Sequence, residues 1–307
     1  MQATGKPRIY RDIDGIVLLD KPLGLSSNQA LQQVRRLFNA RKAGHCGSLD
    51  PLATGVLPIC LGEATKFSSY LLTASKRYRA SCRLGQTTTS GDAEGEIIET
   101  AAVQIDIAQI EQLLPQFVGE IEQIPPMYSA LKHQGKRLYQ LAREGKQVER
   151  APRRITIHQL TMLGFDGQTL DIDVSCSKGT YIRTLAEDIG RQLGCGAHLS
   201  ALHRSSVDKF DEADAFGMEQ LEHLQAQDMQ QLDAILLPVG AALEQFPEII
   251  LNVADSLDIR QGRRVGLTAT AEPGLRRLRS SAGVFLGLGE IAASGELSAK
   301  RLMNTAR

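Results

Sequence analysis

The sequence predicts an α+β protein, in which helices flank a sheet, followed by a small β-rich domain at the C-terminal end. Residues 170–176 alternate strictly between apolar and polar, as a half-exposed strand does, and they lie between segments with helical apolar spacing. From about residue 248 the chain changes to short β-like pieces separated by glycine, which is typical of a small barrel. A length of 307 residues with 42% hydrophobic content suits one large domain and one small one, and we expect them at residues 1–245 and 246–307.

The first elements are a strand, a turn and a helix. Residues 15–20 form a short apolar run that predicts a buried strand, and residues 21–25 turn the chain. Ser26 and Gln29 match a capping box, and the apolar spacing after them predicts an amphipathic helix that becomes basic at its end. This helix leads into the glycine-rich loop of residues 44–57.

The remaining elements follow from periodicity in the same way. Strands are predicted at residues 57–61, 76–84 and 170–176, helices at residues 64–72, 107–117 and about 180–193, a loop at residues 86–96, and a helical, linker-like acidic segment at residues 210–233.

The loop of residues 44–57, GHCGSLDPLATGVL, holds the best candidate for a reactive group. Its glycines permit tight turns, and Asp50 followed by Pro51 favours a turn that holds the carboxylate in a defined direction. This arrangement suits the presentation of one acid to a substrate. An Asp before Pro is also a common turn former, and composition alone favours that simpler interpretation.

The charge distribution indicates basic surfaces although the net charge is zero. Residues 1–209 carry 26 Lys and Arg against 21 Asp and Glu, residues 210–259 carry none against 11, and residues 260–307 carry 9 against 3. Two basic regions therefore flank an acidic one, which suits an anionic partner, although ordinary solvated faces would give the same counts.

Cysteine usage and hydropathy give no sign of a metal site, a disulfide framework or a membrane segment. The five cysteines form no CxxC pair and no cluster of zinc spacing, so we expect reduced thiols. No apolar run is long enough to span a bilayer, and residues 1–14 lack a signal-peptide core. We therefore expect a soluble, cytoplasmic protein that contacts no membrane.

Several motifs together resemble the TruB family of tRNA pseudouridine synthases. The loop of residues 44–57 is similar to the family's catalytic-aspartate motif, and residues 76–85 (KRYRASCRLG) are similar to its tyrosine motif. Further similar segments are CSKGTYIR at residues 176–183 and GAHLSALHR at residues 196–204. The resemblance covers about residues 14–207 most strongly, and the C-terminal part resembles a PUA-like RNA-binding module.

The resemblance implies the pseudouridine synthase fold, with a mixed, mainly antiparallel central sheet, and implies an activity. It implies isomerisation of uridine to pseudouridine at position 55, in the T loop of tRNA, after the base is flipped out. The reaction involves no net redox change or hydrolysis, so we expect no cofactor and no metal. The expected partner is the tRNA T stem-loop, and the expected state is a monomer.

The same resemblance implies roles for individual residues. Asp50 is the expected catalytic carboxylate, Arg183 its ion-pair partner that lowers its pKa, and Tyr78 the residue that stacks on the target base and is a candidate for proton handling. Tyr181 would close the pocket, and His45 would occupy the space that the flipped base vacates. Leu202 would line the pocket floor, and Arg204 would contact a phosphate or a carboxylate. Lys21, in a segment that packs beside the loop in the family, is also expected to contact the substrate, although a solvated lysine at a turn fits Lys21 equally well.

A basic segment at about residues 123–154 is similar to the family's RNA-gripping insertion. Eight cations there oppose only Glu144 and Glu149, which suits contact with a phosphate backbone. A solvated helix with a basic outer face is the alternative. Its expected RNA-binding residues are Lys132, Lys136, Arg137, Arg143, Arg150, Arg153 and Arg154.

Three other functions remain open from the sequence. The first is a guide-RNA-dependent relative with partner proteins, which the lack of a long charged extension disfavours. The second is a non-catalytic RNA-binding or RNA-folding protein, which the presence of Asp50, Tyr78 and Arg183 disfavours. The third is a thiol or metal enzyme that uses His45 and Cys46. Cys46 and Ser48 depart from the commonest residues of the family motif, so Cys46 either tunes the loop or exposes it to thiol reagents.

Overall fold

A computed structural model describes residues 10–267 and 272–304. Residues 1–14 were predicted to lack a signal-peptide core, and residues 1–9 of this segment lie outside the described residues. The last three residues of the predicted C-terminal domain, 305–307, also lie outside them.

The described residues of the larger part of the chain form one ten-stranded sheet. The strands, with two small hairpins, are β1 (Gly15–Lys21), β2 (Ala43–His45), β3 (Ala53–Leu61), β4 (Lys76–Leu84), β5 (Gln86–Thr88), β6 (Ile97–Thr100), β7 (Gly119–Gln123), β8 (Lys132–His133), β9 (Lys136–Arg137), β10 (Arg153–Phe165), β11 (Thr169–Cys176), β12 (Ala197–Val207), β13 (Phe210–Asp211) and β14 (Phe216–Gly217). The order in this main sheet is β14-β1-β3-β12-β4-β11-β10-β7, with β2 beside β3 and β13 beside β12. Only the pairs β1 with β14 and β3 with β12 are parallel, so the predicted mixed, mainly antiparallel sheet is confirmed.

Seven helices accompany this sheet in the same described part of the chain. They are α1 (Ser27–Leu37), α2 (Ser68–Leu72), α3 (Ile107–Leu113), α4 (Leu138–Arg143), α5 (Ile182–Gln192), α6 (Met218–Gln227) and α7 (Met229–Ala234). The predicted capping box of α1 is present, because the Ser26 side chain accepts from the Gln29 N–H and the Gln29 side chain accepts from the Ser26 N–H.

The main core lies between the sheet and helices that include α1 and α5. Ile182, Leu185, Ala186 and Ile189 recur at helical spacing on α5, and all four are buried. They belong to the same apolar cluster as alternate residues of β4 and β11, including Ala80 and Ile172. The alternation predicted for residues 170–176 therefore places β11 and its neighbours against α5.

Three predicted elements differ in the structure. Residues 86–96 are not entirely loop, since β5 pairs with β6, and residues 64–72 combine a 3₁₀ turn, Gly62–Phe67, with the short α2. The acidic segment is not a linker, because Leu221 and Leu232 are fully buried and β14 pairs with β1. Its acidic composition concealed apolar residues that contribute to the core.

The smaller part of the chain forms a second sheet of five strands. Its strands are β15 (Glu248–Leu251), β16 (Val265–Gly266), β17 (Gly274–Ser280), β18 (Phe285–Ile291) and β19 (Glu296–Leu302), in the order β15-β17-β18-β19-β16. Leu278, Leu286 and Leu297 are buried in its own core. Only β-structure was predicted here, but the structure also contains α8 (Val253–Arg260), whose Asn252 cap donates and accepts hydrogen bonds with Asp255.

In residues 10–267 and 272–304, none of the helices combines the length and the apolar character that crossing a membrane would need.

Candidate active site

The loop that carries Asp50 connects β2 to β3 and is anchored on both sides of that residue. The Ser27 hydroxyl accepts from the N–H of Leu49 at 2.6 Å and donates to the Leu49 carbonyl at 2.9 Å. The N–H of Gly24 donates to the carbonyl of Pro51 at 2.8 Å. The start of α1 and the turn before it therefore fix the backbone around the carboxylate. Ser27 had no signal in the sequence beyond its position after the cap.

One glycine of the loop motif is required by close packing. Gly55 has a φ of +99°, and a Cβ there would lie 2.3 Å from the carbonyl oxygen of Arg204. Any side chain would separate β3 from β12 at the point where these parallel strands meet. The glycine therefore lets the loop end directly against the strand that carries Leu202 and Arg204.

The predicted ion pair between Arg183 and Asp50 is present. Nη2 of Arg183 lies 3.0 Å from Oδ2 of Asp50. Arg183 is only 5% exposed and lies in the first turn of α5, where the helix dipole disfavours a cation. The carboxylate offsets this disadvantage, and the pair connects the loop to the helix across the site.

A second carboxylate, which the sequence analysis missed, also contacts Arg183. Oδ2 of Asp92 lies 3.4 Å from Nη1 of Arg183, and Asp92 is 2% exposed. The carbonyl oxygens of Ser90 and Tyr128 accept from the same guanidinium at 3.1 and 2.6 Å. Arg183 is thus held from four directions. The only sequence signal for Asp92 was a carboxylate in a glycine-containing polar segment, which does not identify its partner.

The net effect of the site raises the pKa of Asp50, although Arg183 was expected to lower it. Partial burial raises this pKa most, Arg183 opposes the rise, and the nearby Asp92 adds to it. The Asp50 side chain is still 44% exposed, so the carboxylate remains accessible to solvent. Arg183 therefore limits the rise in pKa and keeps more of Asp50 ionised than burial alone would allow.

Tyr78 and Leu202 lie on one face of the sheet, on adjacent strands. The Cα partners Tyr78 with Arg204 and Leu202 with Ala80 put all four side chains on that face. Tyr78 is 8% exposed, and burial raises the pKa of its phenol while the Arg204 guanidinium opposes the rise. Leu202 is half-buried and packs against the main core, and its place in a pocket floor stays a prediction.

Tyr181 and His45 complete the half-buried residues expected at the site. Tyr181 is the N-cap of α5, and burial raises the pKa of its phenol. His45 ends β2, and burial followed by the charge of Arg204 lowers the pKa of its imidazole. Its Nδ1 is buried and has no hydrogen-bond partner among the described residues. The ring is therefore a neutral, flat group at neutral pH.

Lys21 and Arg204 are buried and donate to backbone carbonyls, Lys21 within the turn before α1 and Arg204 within residues 44–57, which corrects the expectation of substrate contacts for both. Lys21 is fully buried, its Nζ donates to the carbonyls of Pro22 and Leu25, and burial lowers its pKa to about 8. Arg204 is 1% exposed and donates to the carbonyls of Val56 and Gly47 at 2.7 and 3.3 Å. Backbone carbonyls take the place of the predicted phosphate or carboxylate of Arg204, because that guanidinium is buried.

Cys46 points away from the site and towards another cysteine. Its side chain is fully buried, and its Sγ lies 3.4 Å from the Sγ of Cys60. Both thiols are fully buried, and the hydrogen bond with the Cys46 thiol, followed by burial, raises the pKa of Cys60. Within the residues that the structure describes, no three His, Cys, Asp or Glu side chains are grouped to hold a metal ion.

Replacement of Cys46 by serine is therefore expected to leave the rate of the isomerisation that the resemblance implies within roughly threefold of the wild-type rate, because the thiol contributes only to packing. Steady-state kinetics with and without a chelator would check this result. A loss of activity that is not accompanied by a loss of thermal stability would instead support the thiol-enzyme hypothesis.

The predicted insertion leaves the sheet between β7 and β10. Gln123 and Arg153 are paired across its neck, so Arg153 and Arg154 belong to the strand β10 rather than to the insertion proper. The hairpin of β8 and β9 carries the exposed side chains of Lys132, Lys136 and Arg137. Arg137 and the exposed Arg143 lie over the Tyr139 ring at 6.0 and 5.7 Å. Arg150 donates to the carbonyl of Pro125 at the neck.

Comparisons with known proteins identify the family to which the sequence is similar. Family models match residues 35–182 (TruB family pseudouridylate synthase, N-terminal domain), residues 183–244 (tRNA pseudouridylate synthase B C-terminal domain) and residues 247–303 (pseudouridine synthase II TruB, C-terminal). The tRNA pseudouridine synthase B of Methylobacillus flagellatus is 54% identical over 97% of this chain and 98% of its own length. That of Nitrosococcus oceani is 50% identical over 95% of this chain and 96% of its own length.

Solved structures with the same fold include a chain of a Cbf5-Nop10-Gar1 complex, with a TM-score of 0.70 and 27% identity over 90% of this chain and 78% of that one. A chain of an H/ACA RNP bound to a substrate RNA has a TM-score of 0.73 at 22% identity, covering 94% of this chain and 85% of that one, and shows likeness of fold alone. These likenesses confirm the predicted fold class.

Proposed function

This chain belongs to the TruB family of pseudouridylate synthases, and on that basis we propose that it converts uridine to pseudouridine at position 55, in the T loop of tRNA. The observation that carries the proposal is the ion pair of the accessible Asp50 carboxylate with the buried Arg183. The relatives named tRNA pseudouridine synthase B support tRNA as the substrate.

The reaction breaks the bond between N1 of the base and C1′ of the ribose, and then joins C5 of the same base to C1′. The proton on C5 is released and N1 gains one, so atoms balance without a cofactor. An ionised Asp50 serves either by attack at C1′ or by removal of the C2′ proton. Both routes require the carboxylate to be deprotonated, which is the form that Arg183 favours.

The side chains around Asp50 suit a flipped base. Tyr78 offers an aromatic ring for stacking on the uracil, and Leu202 on the same sheet face offers an apolar floor. Tyr181, at the start of α5, closes the other side of the pocket. The neutral His45 fills the gap that the base leaves in the RNA, which offsets part of the few kcal/mol that flipping costs.

The exposed cations of the insertion and the C-terminal domain serve to bind the tRNA backbone. We assign residues 1–245 to the catalytic domain and residues 246–307 to the RNA-binding domain, a division supported by the two separate sheets. The T stem-loop lies across the site under the insertion, and a monomer carries all the groups that the reaction uses.

Neutralising Lys136 and Arg137 together with glutamine is expected to weaken tRNA binding with little change in the rate of the bound complex. Each lost phosphate contact makes the slope of log affinity against log salt concentration shallower by about 0.7 to 0.9. Binding measured at several salt concentrations checks this. The matched control is Arg191→Gln, which removes an exposed cation outside the insertion. An unchanged slope would contradict a role for this hairpin in RNA binding.

The proposal is tested with purified protein and unmodified tRNA labelled with tritium at C5 of uridine. We expect stoichiometric tritium release and pseudouridine at position 55 alone. The likeness to the Cbf5-Nop10-Gar1 complex makes a guide-RNA-dependent enzyme the second candidate. Release only after a guide RNA and partner proteins are added would favour that candidate, and tRNA binding without any release would favour a non-catalytic RNA-binding protein.

A further inference from the structure

We infer that Gln123 is a positioning residue for the reaction, because it ties the neck of the insertion to the first residues of α5, which carry Tyr181 and Arg183. The inference rests on the proposed function. It adds a link through which the RNA-gripping insertion and the catalytic ion pair affect each other.

The link is a two-point hydrogen bond between a side-chain amide and the backbone. Oε1 of Gln123 accepts from the N–H of Tyr181 at 2.8 Å, and Nε2 of Gln123 donates to the carbonyl of the same residue at 3.0 Å. Gln123 is 2% exposed, so these bonds are shielded from water, and loss of either would leave a buried polar group unpaired.

The position of Tyr181 explains why the link matters for catalysis. Tyr181 is the N-cap of α5, and its own side chain makes no capping hydrogen bond. The amide of Gln123 therefore fixes the backbone at the point where the helix begins. Arg183 follows two residues later and reaches Asp50, so a displaced helix start would displace both the pocket tyrosine and the ion pair.

The other end of the link lies at the root of the insertion. Gln123 is the last residue of β7 and faces Arg153 of β10, so every residue of the insertion lies between these two. Five residues beyond Gln123, the carbonyl of Tyr128 accepts from Nη2 of Arg183. The segment that enters the insertion thus contacts the start of α5 twice. A movement of the insertion on binding RNA therefore displaces or fixes Arg183 through both contacts.

The test compares Gln123→Met, which keeps the length of the side chain and loses both hydrogen bonds, with Gln116→Met as a control at an exposed glutamine. We expect Gln123→Met to lower the single-turnover rate by about 10- to 100-fold, the scale of a small misplacement of reacting groups, while the Kd for tRNA changes by less than about threefold. A rate equal to that of the control variant, or a fall confined to the Kd, would overturn the inference.

A second variant separates positioning from folding. A protonated glutamic acid has the shape of glutamine, accepts through one oxygen and donates through the other, whereas its carboxylate can only accept. At each pH the rate of Gln123→Glu is compared with the wild-type rate at the same pH. The ratio of the two rates should approach one as the pH is lowered and should fall towards the ratio found for Gln123→Met as the pH rises. If the ratio of variant rate to wild-type rate depended on pH in the same way for Gln123→Glu and Gln123→Met, the inference would be overturned. If wild-type protein itself releases no tritium from tRNA, the proposed function fails instead.

Discussion

Replacement of Asp50 by asparagine is expected to lower the rate of pseudouridine formation by at least about 10³-fold, the scale seen when a principal catalytic group is removed. The amide keeps the shape of the side chain and can still accept from Arg183, but it carries no negative charge. It can neither attack C1′ nor remove the C2′ proton. Single-turnover tritium release with saturating enzyme measures the effect on the chemical step.

The affinity for tRNA should change only a few-fold in the same variant, because the cations of the insertion and of the C-terminal domain are untouched. Asp208→Asn is the matched control, since Asp208 is exposed and its φ of +55° suits asparagine. Activity of Asp50→Asn near that of the control would refute the catalytic assignment. A large loss of tRNA affinity would place Asp50 in substrate binding instead.

The elements that the sequence predicted well are those with a strong local pattern. The capping box of α1, the alternation of residues 170–176 and the run at residues 76–84 each encode their structure within a few residues, and each is present. The pairing of Arg183 with Asp50 was also predictable. The helix dipole disfavours a cation in the first turn, which indicates a carboxylate partner, and the family motif indicates that this partner is Asp50.

The parts that the sequence did not predict depend on contacts between distant segments. Asp92 and Gln123 act through partners that lie 91 and 58 residues further along the chain, and nothing near either residue identifies those partners. Lys21 and Arg204 were expected to contact substrate because both lie in segments that resemble those of the family. Only the packing of β1, β3 and β12 reveals that both point into the protein and bind backbone carbonyls.

The direction in which the pKa of Asp50 shifts also depends on contacts between distant segments, which the sequence does not reveal. A lower pKa was predicted from the one cation in the motif, whereas the fold also buries part of the carboxylate and brings Asp92 close. Burial outweighs the cation, so Arg183 compensates only part of a rise. The activity should therefore fall on the acid side as Asp50 becomes protonated, at a pH above that of an ordinary aspartate.

The second large effect is expected for Arg183→Met, with a rate about 10² to 10³-fold below wild type at neutral pH and an acid limb displaced to higher pH. Arg183 lowers the pKa of Asp50, so its removal raises that pKa further and leaves less of the ionised form at any pH below it. A pH profile of the single-turnover rate measures the displacement. Arg191→Met, which changes an exposed arginine of the same helix, is the control and should leave the profile unchanged.

Folding must be separated from chemistry in this experiment, because Arg183 also neutralises the buried Asp92. An unpaired buried carboxylate costs about 3 to 5 kcal/mol of stability unless it takes up a proton. The double variant Arg183→Met with Asp92→Asn removes that cost and should recover most of the thermal stability while the rate at neutral pH stays well below wild type. Its acid limb should move back towards lower pH only in part, because Asp92 no longer raises the pKa of Asp50 but Arg183 no longer lowers it. If the double variant instead regained the wild-type rate, Arg183 would serve to fold the site rather than to keep Asp50 ionised.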